Sequence, residues 1–223
     1  MIDHPFANLR PFTKQLDVLF LDKADNVATD ADIKRVTGVA TLTSLHQKHG
    51  KNVVVVREES SRTLPADGLV TDVKGLSLLI RFADCQNFVI YAPKHNVVGL
   101  IHAGWKGVVA GVIPEFFAVL KREWNIAPGE VMVGAGPSLC FQGADFTDPA
   151  AEVPTLKPFI GGRCVDLIAA ANKQFADAGV PSANIERMPE CTRCNPGTLW
   201  TYRGGHREEV KSGFTNCLVV TLR

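Results

Sequence analysis

Short apolar runs, too brief for helices and separated by turn-forming residues, dominate the first hundred positions: residues 17–21, 41–45, 53–56, 76–82, 88–91 and 97–101. Runs of this length rich in Val, Leu, Ile and Phe read as β-strands, and buried strands must pair with one another. Pro65-Ala66-Asp67-Gly68 and Ala92-Pro93-Lys94-His95-Asn96 supply turn chemistry, and the second is expected to join two antiparallel neighbours. This is hairpin logic, not a repeating βαβ pattern.

Helical spacing appears after Gly107, where Val108, Val109, Val112, Ile113, Phe116, Phe117, Val119 and Leu120 recur before Lys121-Arg122-Glu123-Trp124. Pro114 lies inside this pattern, so either a helix begins near it as a first-turn residue or the helix kinks there. A strand over 130–134 leads into the loop 134–138. A second amphipathic helix spans 166–178 with Gly179 as its stop, and strands over 185–188 and 218–222 close the chain. The expected fold class is α/β (α+β): a single layered domain over residues 1–223 with mixed β-sheets and flanking helices.

A chain of 223 residues with 46% hydrophobic content can bury a substantial core. Its net charge of +1, with both signs interspersed, offers no extended basic face for nucleic acid, which leaves small polar ligands as expected partners. No basic start followed by an apolar stretch and cleavage site opens the chain, and no run reaches the 18 or so apolar residues of a membrane span, so a cytoplasmic protein without membrane partners is expected. The six cysteines (85, 140, 164, 191, 194 and 217) are scattered through a sizeable chain and are read as reduced.

Three of the apolar runs end near metal-capable side chains. His49 stands in Gln47-Lys48-His49-Gly50, Cys85 in Ala83-Asp84-Cys85, and His102 opens His102-Ala103-Gly104-Trp105-Lys106-Gly107. Two imidazoles and a thiolate suit zinc, and a three-ligand set leaves the fourth position open, as catalytic zinc sites do. Such an ion would force Cys85 into its thiolate form and bring a bound water's pKa toward neutrality. On spacing alone, a cysteine packed as a small core hydrophobe and a histidine in a turn remain the competing readings.

These motifs, with Ala66-Asp67-Gly68-Leu69-Val70-Thr71, Gly136-Pro137-Ser138, Cys191-Thr192 and Tyr202-Arg203, resemble in order and context the YfiH-like family over about residues 41–205. That family was first described as multicopper polyphenol oxidoreductases (laccase domain) and is now associated with purine nucleoside phosphorylase and adenosine deaminase activities. The resemblance implies zinc held by His49, Cys85 and His102, and a fold related to cysteine-hydrolase-like proteins. The chain departs from the family pattern in several places. The N-terminal Arg-Gly-Gly loop is replaced by Leu19-Phe20-Leu21-Asp22-Lys23-Ala24-Asp25-Asn26, Lys106 replaces an arginine, Asn87 replaces a proline, and the loop after Pro137 is shortened around Cys140. Lys23 and Arg35 are candidate substitutes for the missing cation.

The expected function is therefore a zinc-dependent purine nucleoside enzyme, acting by phosphorolysis or by deamination of adenosine. Cys85, His102 and Asp84 are its catalytic candidates, with Asp84 either accepting a proton or capping a turn. Lys106, Arg203, Tyr202 and Gly136 are the substrate-binding candidates. The first two are anion donors, helped by the amides of residues 104–108 at a helix start. The competing readings leave Lys106 solvated and Arg203 paired with Glu208 or Glu209. Trp105 and Tyr202 either stack on a purine or pack in the core. Asp67 is read as a turn former. Cys191-Thr192-Arg193-Cys194 lacks the second pair a structural zinc site needs, and Cys140, Cys164 and Cys217 are expected to pack. Copper is the less favoured metal: the six histidines include no His-x-His pair, and dioxygen-reducing oxidases need a histidine-rich cluster. Two alternatives stand beside the zinc enzyme, a metal-independent cysteine hydrolase with a Cys85/His102 dyad and a catalytically impaired metal- or small-molecule-binding module. A monomer or homodimer is expected.

Overall fold

The computed structural model describes residues 1–223. In chain order its strands are β1 (Ile2–Asp3), β2 (Leu16–Leu21), β3 (Thr41–His46), β4 (Val53–Val55), β5 (Ser61–Pro65), β6 (Gly68–Thr71), β7 (Leu76–Phe82), β8 (Gln86–Ala92), β9 (Val97–Ala103), β10 (Met132–Ala135), β11 (Ile160–Gly161), β12 (Cys164–Val165), β13 (Ile185–Arg187) and β14 (Asn216–Leu222). The helices are α1 (Asp30–Thr37), α2 (Trp105–Ala110), α3 (Val112–Trp124), α4 (Pro149–Glu152), α5 (Leu167–Ala178) and α6 (Arg207–Lys211).

Strands β7, β8 and β9 are buried at all seven positions each, which requires cover on both faces. Two six-stranded mixed sheets provide it, one ordered β1-β2-β14-β7-β3-β5 and the other β13-β10-β8-β9-β6-β4. Alternate side chains sort between layers with the two-residue period of a strand. Leu78, Ile80 and Phe82 of β7 meet Val89 and Tyr91 of β8 and Val98 and Leu100 of β9 in the core between the sheets. The opposite faces of β8 and β9 give Phe88, Ile90, Val97 and Ile101 to a second core under α3 and α5, built on Phe116, Phe117 and Phe175. A smaller cluster seats Ile33 of α1 over Leu21, Leu42, Leu79 and Val219 of the first sheet. The fold is thus a mixed α/β layered arrangement, as the strand and helix pattern implies. No helix is long and apolar enough to cross a membrane.

The expected hairpin is present: β8 and β9 pair antiparallel from Gln86↔Ala103 to Ala92↔Val97. Gly111, at φ +84°, separates α2 from α3, so Pro114 falls in the first turn of α3 and the first-turn reading is the correct one. Asp166 caps α5, accepting a 2.8 Å bond from the Ala169 amide, and Gly179 ends it at φ +100°. Residues 218–222 do more than close the chain, because β14 lies centrally between β2 and β7.

Helix α1 is tied to the first sheet by Asp30. Its carboxylate accepts from Arg81 Nη2 (2.9 Å), Ser44 Oγ (2.5 Å) and Ser61 Oγ (2.8 Å). Partial burial pushes the carboxyl pKa up, but these three donors outweigh it and hold it below the ordinary value. Asp30→Ala leaves the buried Arg81 guanidinium without its counter-charge and is expected to lower stability by about 3 kcal/mol in urea unfolding at neutral pH. A depressed carboxylate stabilises above its unfolded-state pKa, so the gap between the two proteins should narrow as the pH falls through the carboxylate range.

Candidate active site

Three connections switch the chain from the first sheet to the second: β3 to β4, β5 to β6, and β7 to β8. The first carries His49, the second Asp67 and the third Cys85, while the end of β9 adds His102. These crossovers bring together side chains that are remote in sequence. One ligand atom from each of His49, Cys85 and His102 lies within 4.8 Å of the others. The two imidazole rings meet edge to face, 4.8 Å apart at their centroids.

Asp67 organises this convergence. It is 1% exposed, and its carboxylate accepts from the backbone amides of Lys48 (3.2 Å), His49 (2.9 Å) and Gly50 (2.7 Å). The same group lies 2.9 Å from His102 Nδ1, and the Asp67 carbonyl accepts from the His102 amide at 2.7 Å. The amide nest holds His49 at φ +57°, a left-handed conformation uncommon outside glycine. With Nδ1 held by Asp67, His102 keeps Nε2 for Cys85 or for a metal, the arrangement a metal-ligating or basic histidine needs. Asp67 is therefore a site residue, and the turn-forming reading of it is corrected.

Gly104 makes room for the cluster: a Cβ there would stand 2.8 Å from His49 Cδ2 and 2.9 Å from Cys85 Sγ. Burial pushes the Cys85 thiol up, yet the facing His102 charge, with hydrogen bonds from both imidazoles, outweighs it and lowers its pKa to about 6. Burial likewise disfavours the charged form of His102, and the Cys85 thiolate and Asp67 carboxylate overcome it, raising its pKa to about 9. The chain alone thus favours a thiolate–imidazolium pair against Asp67. A preformed thiolate, one oriented imidazole and one exposed imidazole fit a borderline-soft divalent ion.

The cluster opens into a cleft of about 640 Å³, a size suited to a small ligand. Six basic residues line it, Lys48, Arg62, Arg81, Lys106, Arg203 and Lys211, against a single carboxylate, Asp84. Lys106 is exposed, with its ammonium 5.4 Å from the Trp105 ring. Arg203 pairs with Asp145, through the backbone carbonyl and at 3.2 Å through Oδ1, so the expected pairing with Glu208 or Glu209 is not made. Tyr202 is 40% exposed and lines the cleft with Trp105, which also packs edge-on against Phe146.

The other expected site residues have structural partners of their own. Asp84 is buried, and its carboxylate is taken by the hydroxyls of Thr192 (2.7 Å) and Thr201 (2.6 Å) and by the Arg203 amide (2.7 Å). It anchors two loops and holds the Arg203 backbone, with three of its roughly four lone-pair sites taken, two on Oδ1 and one on Oδ2. Gly136 is buried behind the cleft, where a Cβ would meet Asn87 Oδ1 at 2.1 Å. Close packing explains this glycine, and substrate contact does not. Lys23 and Arg35 lie outside the cleft: Lys23 binds the Pro196 carbonyl and His206, and Arg35 pairs with Asp32. Arg62 and Arg81 are the cleft cations the sequence reading missed. Cys140, expected to pack, lies beside Cys191 and Cys194, whereas Cys217 is buried in the α1 cluster as expected.

A layered two-sheet α/β chain that gathers His and Cys at its sheet crossovers with a second His at the end of β9 defines a recognisable class. The family model described as multi-copper polyphenol oxidoreductase laccase matches residues 13–220, and the chain belongs to that family. A relative from Geobacillus stearothermophilus named purine nucleoside phosphorylase YlmD is 31% identical over 148 residues, 61% of this chain and 54% of that protein. The match thus spans little more than half of the relative's length. A protein from an unknown prokaryotic organism named adenosine deaminase RL5 is 26% identical over 171 residues, 72% of this chain and 64% of that one. The crystal structure of the Bacillus licheniformis hypothetical protein YfiH superposes with a TM-score of 0.78 at 19% identity, covering 93% of each chain.

Asp67→Asn turns an amide NH₂ toward backbone donors and is expected to weaken zinc binding by about 10- to 100-fold, read by competition with a chromophoric chelator. In chelator-treated protein, alkylation of Cys85 is expected to rise with pH about a midpoint near 6, because the thiolate is the reacting form. In His102→Ala the midpoint should move up toward that of an ordinary thiol.

Proposed function

We propose that this chain is a zinc-dependent purine nucleoside enzyme that cleaves or deaminates nucleosides in the basic cleft. One observation carries the reading: a His49/Cys85/His102 donor set opens into a cavity lined by six basic residues, two of them paired with Asp30 and Asp145, and one engaged carboxylate. The names of the relatives support the substrate class. Zinc, which His49, Cys85 and His102 would hold, would supply Lewis acidity there.

The residues of the chain do the remaining work. In phosphorolysis a phosphate oxygen bonds to the anomeric carbon while the glycosidic bond breaks and its electron pair leaves on the purine, which takes up a proton. Holding a phosphate against a ribose demands cations with fixed positions. Arg203, braced by Asp145 and by the Asp84 carboxylate at its amide, is one such group, and Lys106 at the start of α2 is another. Trp105 and Tyr202 offer aromatic faces to the base. Deamination uses the same pocket but needs water and releases ammonia, with no role for phosphate.

A specific observation favours a second reading. Asp67, His102 and Cys85 form an acid–base–thiol chain of the kind that drives cysteine hydrolases without metal. Incubation of purified protein with adenosine or inosine, with and without phosphate, should release free base only with phosphate, or ammonia from adenosine without it. The activity should be lost on exhaustive chelation, restored by zinc and absent in His49→Ala and Cys85→Ala. Activity that survives chelation, together with covalent labelling of Cys85, overturns the zinc reading in favour of the hydrolase. Arg203→Ala is expected to raise the KM for phosphate about tenfold or more while leaving zinc content unchanged.

A further inference from the structure

Away from the cleft, two loops bring three more thiols together. Cys140 follows the Gly136-Pro137-Ser138 loop, and Cys191 and Cys194 flank a tight turn in which the Asn195 amide bonds to the Cys191 and Thr192 carbonyls. One sulfur from each lies within 4.8 Å of the others, and Cys140 Sγ stands 3.9 Å from Cys194 Sγ. None of the three lines the cleft.

The spacing discriminates between kinds of sulfur chemistry. A disulfide needs its sulfurs at about 2.05 Å. Two thiolates sharing an ion at a metal–sulfur distance of about 2.3 Å stand about 3.8 Å apart in a tetrahedron and about 4.0 Å apart in a trigonal plane. The Cys140–Cys194 separation falls in that interval, and Cys191 Sγ lies within 4.8 Å of both. The surroundings are those of a thiolate ligand. The Cys140 amide donates to Cys191 Sγ at 3.2 Å, and Gly143 lets the backbone close over the same sulfur, at 3.4 Å from where a Cβ would be. Burial pushes the Cys191 thiol up, and the amides and thiols of Cys140 and Cys194 outweigh it, leaving it below its ordinary value. Hydrogen bonding to Cys191 and Cys140 pushes the Cys194 thiol up to about 11.

We infer that Cys140, Cys191 and Cys194 form a second metal site, specific for a soft d¹⁰ cation such as zinc(II) or copper(I), separate from the His49/Cys85/His102 cluster. Binding forms three metal–sulfur bonds and releases the thiol protons to solvent, with no change of oxidation state. Cys194 is exposed and gives the ion its way in. The site clamps together the two loops that hold Asp84: the Leu139 amide donates to the Asp84 carbonyl at 3.2 Å and the Thr192 hydroxyl to its carboxylate at 2.7 Å. An ion there braces the segment that presents Cys85 without touching substrate.

The test uses the full chain carrying His49→Ala and Cys85→Ala, which removes the first cluster and with it any dependence on the nucleoside reading. Titration with zinc(II), and with copper(I) under reducing conditions, against a chromophoric chelator should give one equivalent of bound metal. Cobalt(II) should show thiolate charge-transfer absorption. Adding Cys194→Ser, at an exposed side chain, should weaken binding by more than about 100-fold, beyond what loss of an outer-shell partner costs. Whichever of the two ions binds more tightly identifies the occupant, and either supports the site. Alkylation of the wild-type chain followed by mass spectrometry gives a readout that needs no variant: zinc should protect Cys140, Cys191 and Cys194 while labelling of Cys164 is unchanged. No bound metal, equal binding after Cys194→Ser, or a Cys140–Cys194 disulfide that forms under saturating zinc would each overturn the assignment.

Discussion

One buried carboxylate holds the candidate site together. Asp67 receives three consecutive amides from the turn at Lys48–Gly50 and faces the imidazole of His102, so a single side chain fixes the backbone of one ligand and the ring of another. The uncommon left-handed geometry of His49 is the local cost, offset by charge-assisted hydrogen bonds to a buried carboxylate. Cys85 then completes the set from a third crossover, its thiolate stabilised by the imidazolium that Asp67 favours.

Much of this was legible in the sequence. The apolar runs at 76–82, 88–91 and 97–101 lie on buried strands because their alternate residues feed two cores, and the candidate donors His49, Cys85 and His102 stand at or just beyond strand ends. Asp67 was legible as a motif but not as a contact, since Pro-Ala-Asp-Gly carries a strong turn signal and nothing local shows that the carboxylate points inward. Strand β5, with no buried position, offers periodicity a single half-buried apolar residue, Leu64, among exposed neighbours. Helix α1 did leave a trace: Thr29 and Asp32 form a capping box and Gly38 closes the helix at φ +73°. The Cys140 grouping depends on a contact across 51 residues, which spacing within the Cys191–Cys194 motif does not reveal.

The departures from the family pattern also make physical sense in the fold. The N-terminal segment lacks the expected arginine, and Arg62 and Arg81, on β5 and β7, line the cleft, with Arg81 paired to Asp30. Asn87, where the family has proline, donates to the Pro137 carbonyl at 2.9 Å and fills the space that Gly136 leaves open. Charge and packing are thus redistributed around an unchanged trio of donors.

Crossing from one sheet to the other three times at the same place has a mechanical consequence. Each of His49, Asp67 and Cys85 sits on a span with one foot in either layer of the sandwich. The layers cannot shear past one another without dragging those spans out of register. The binding constellation and the sheet interface therefore form one cooperative unit, and slack in either would be felt at once in the other.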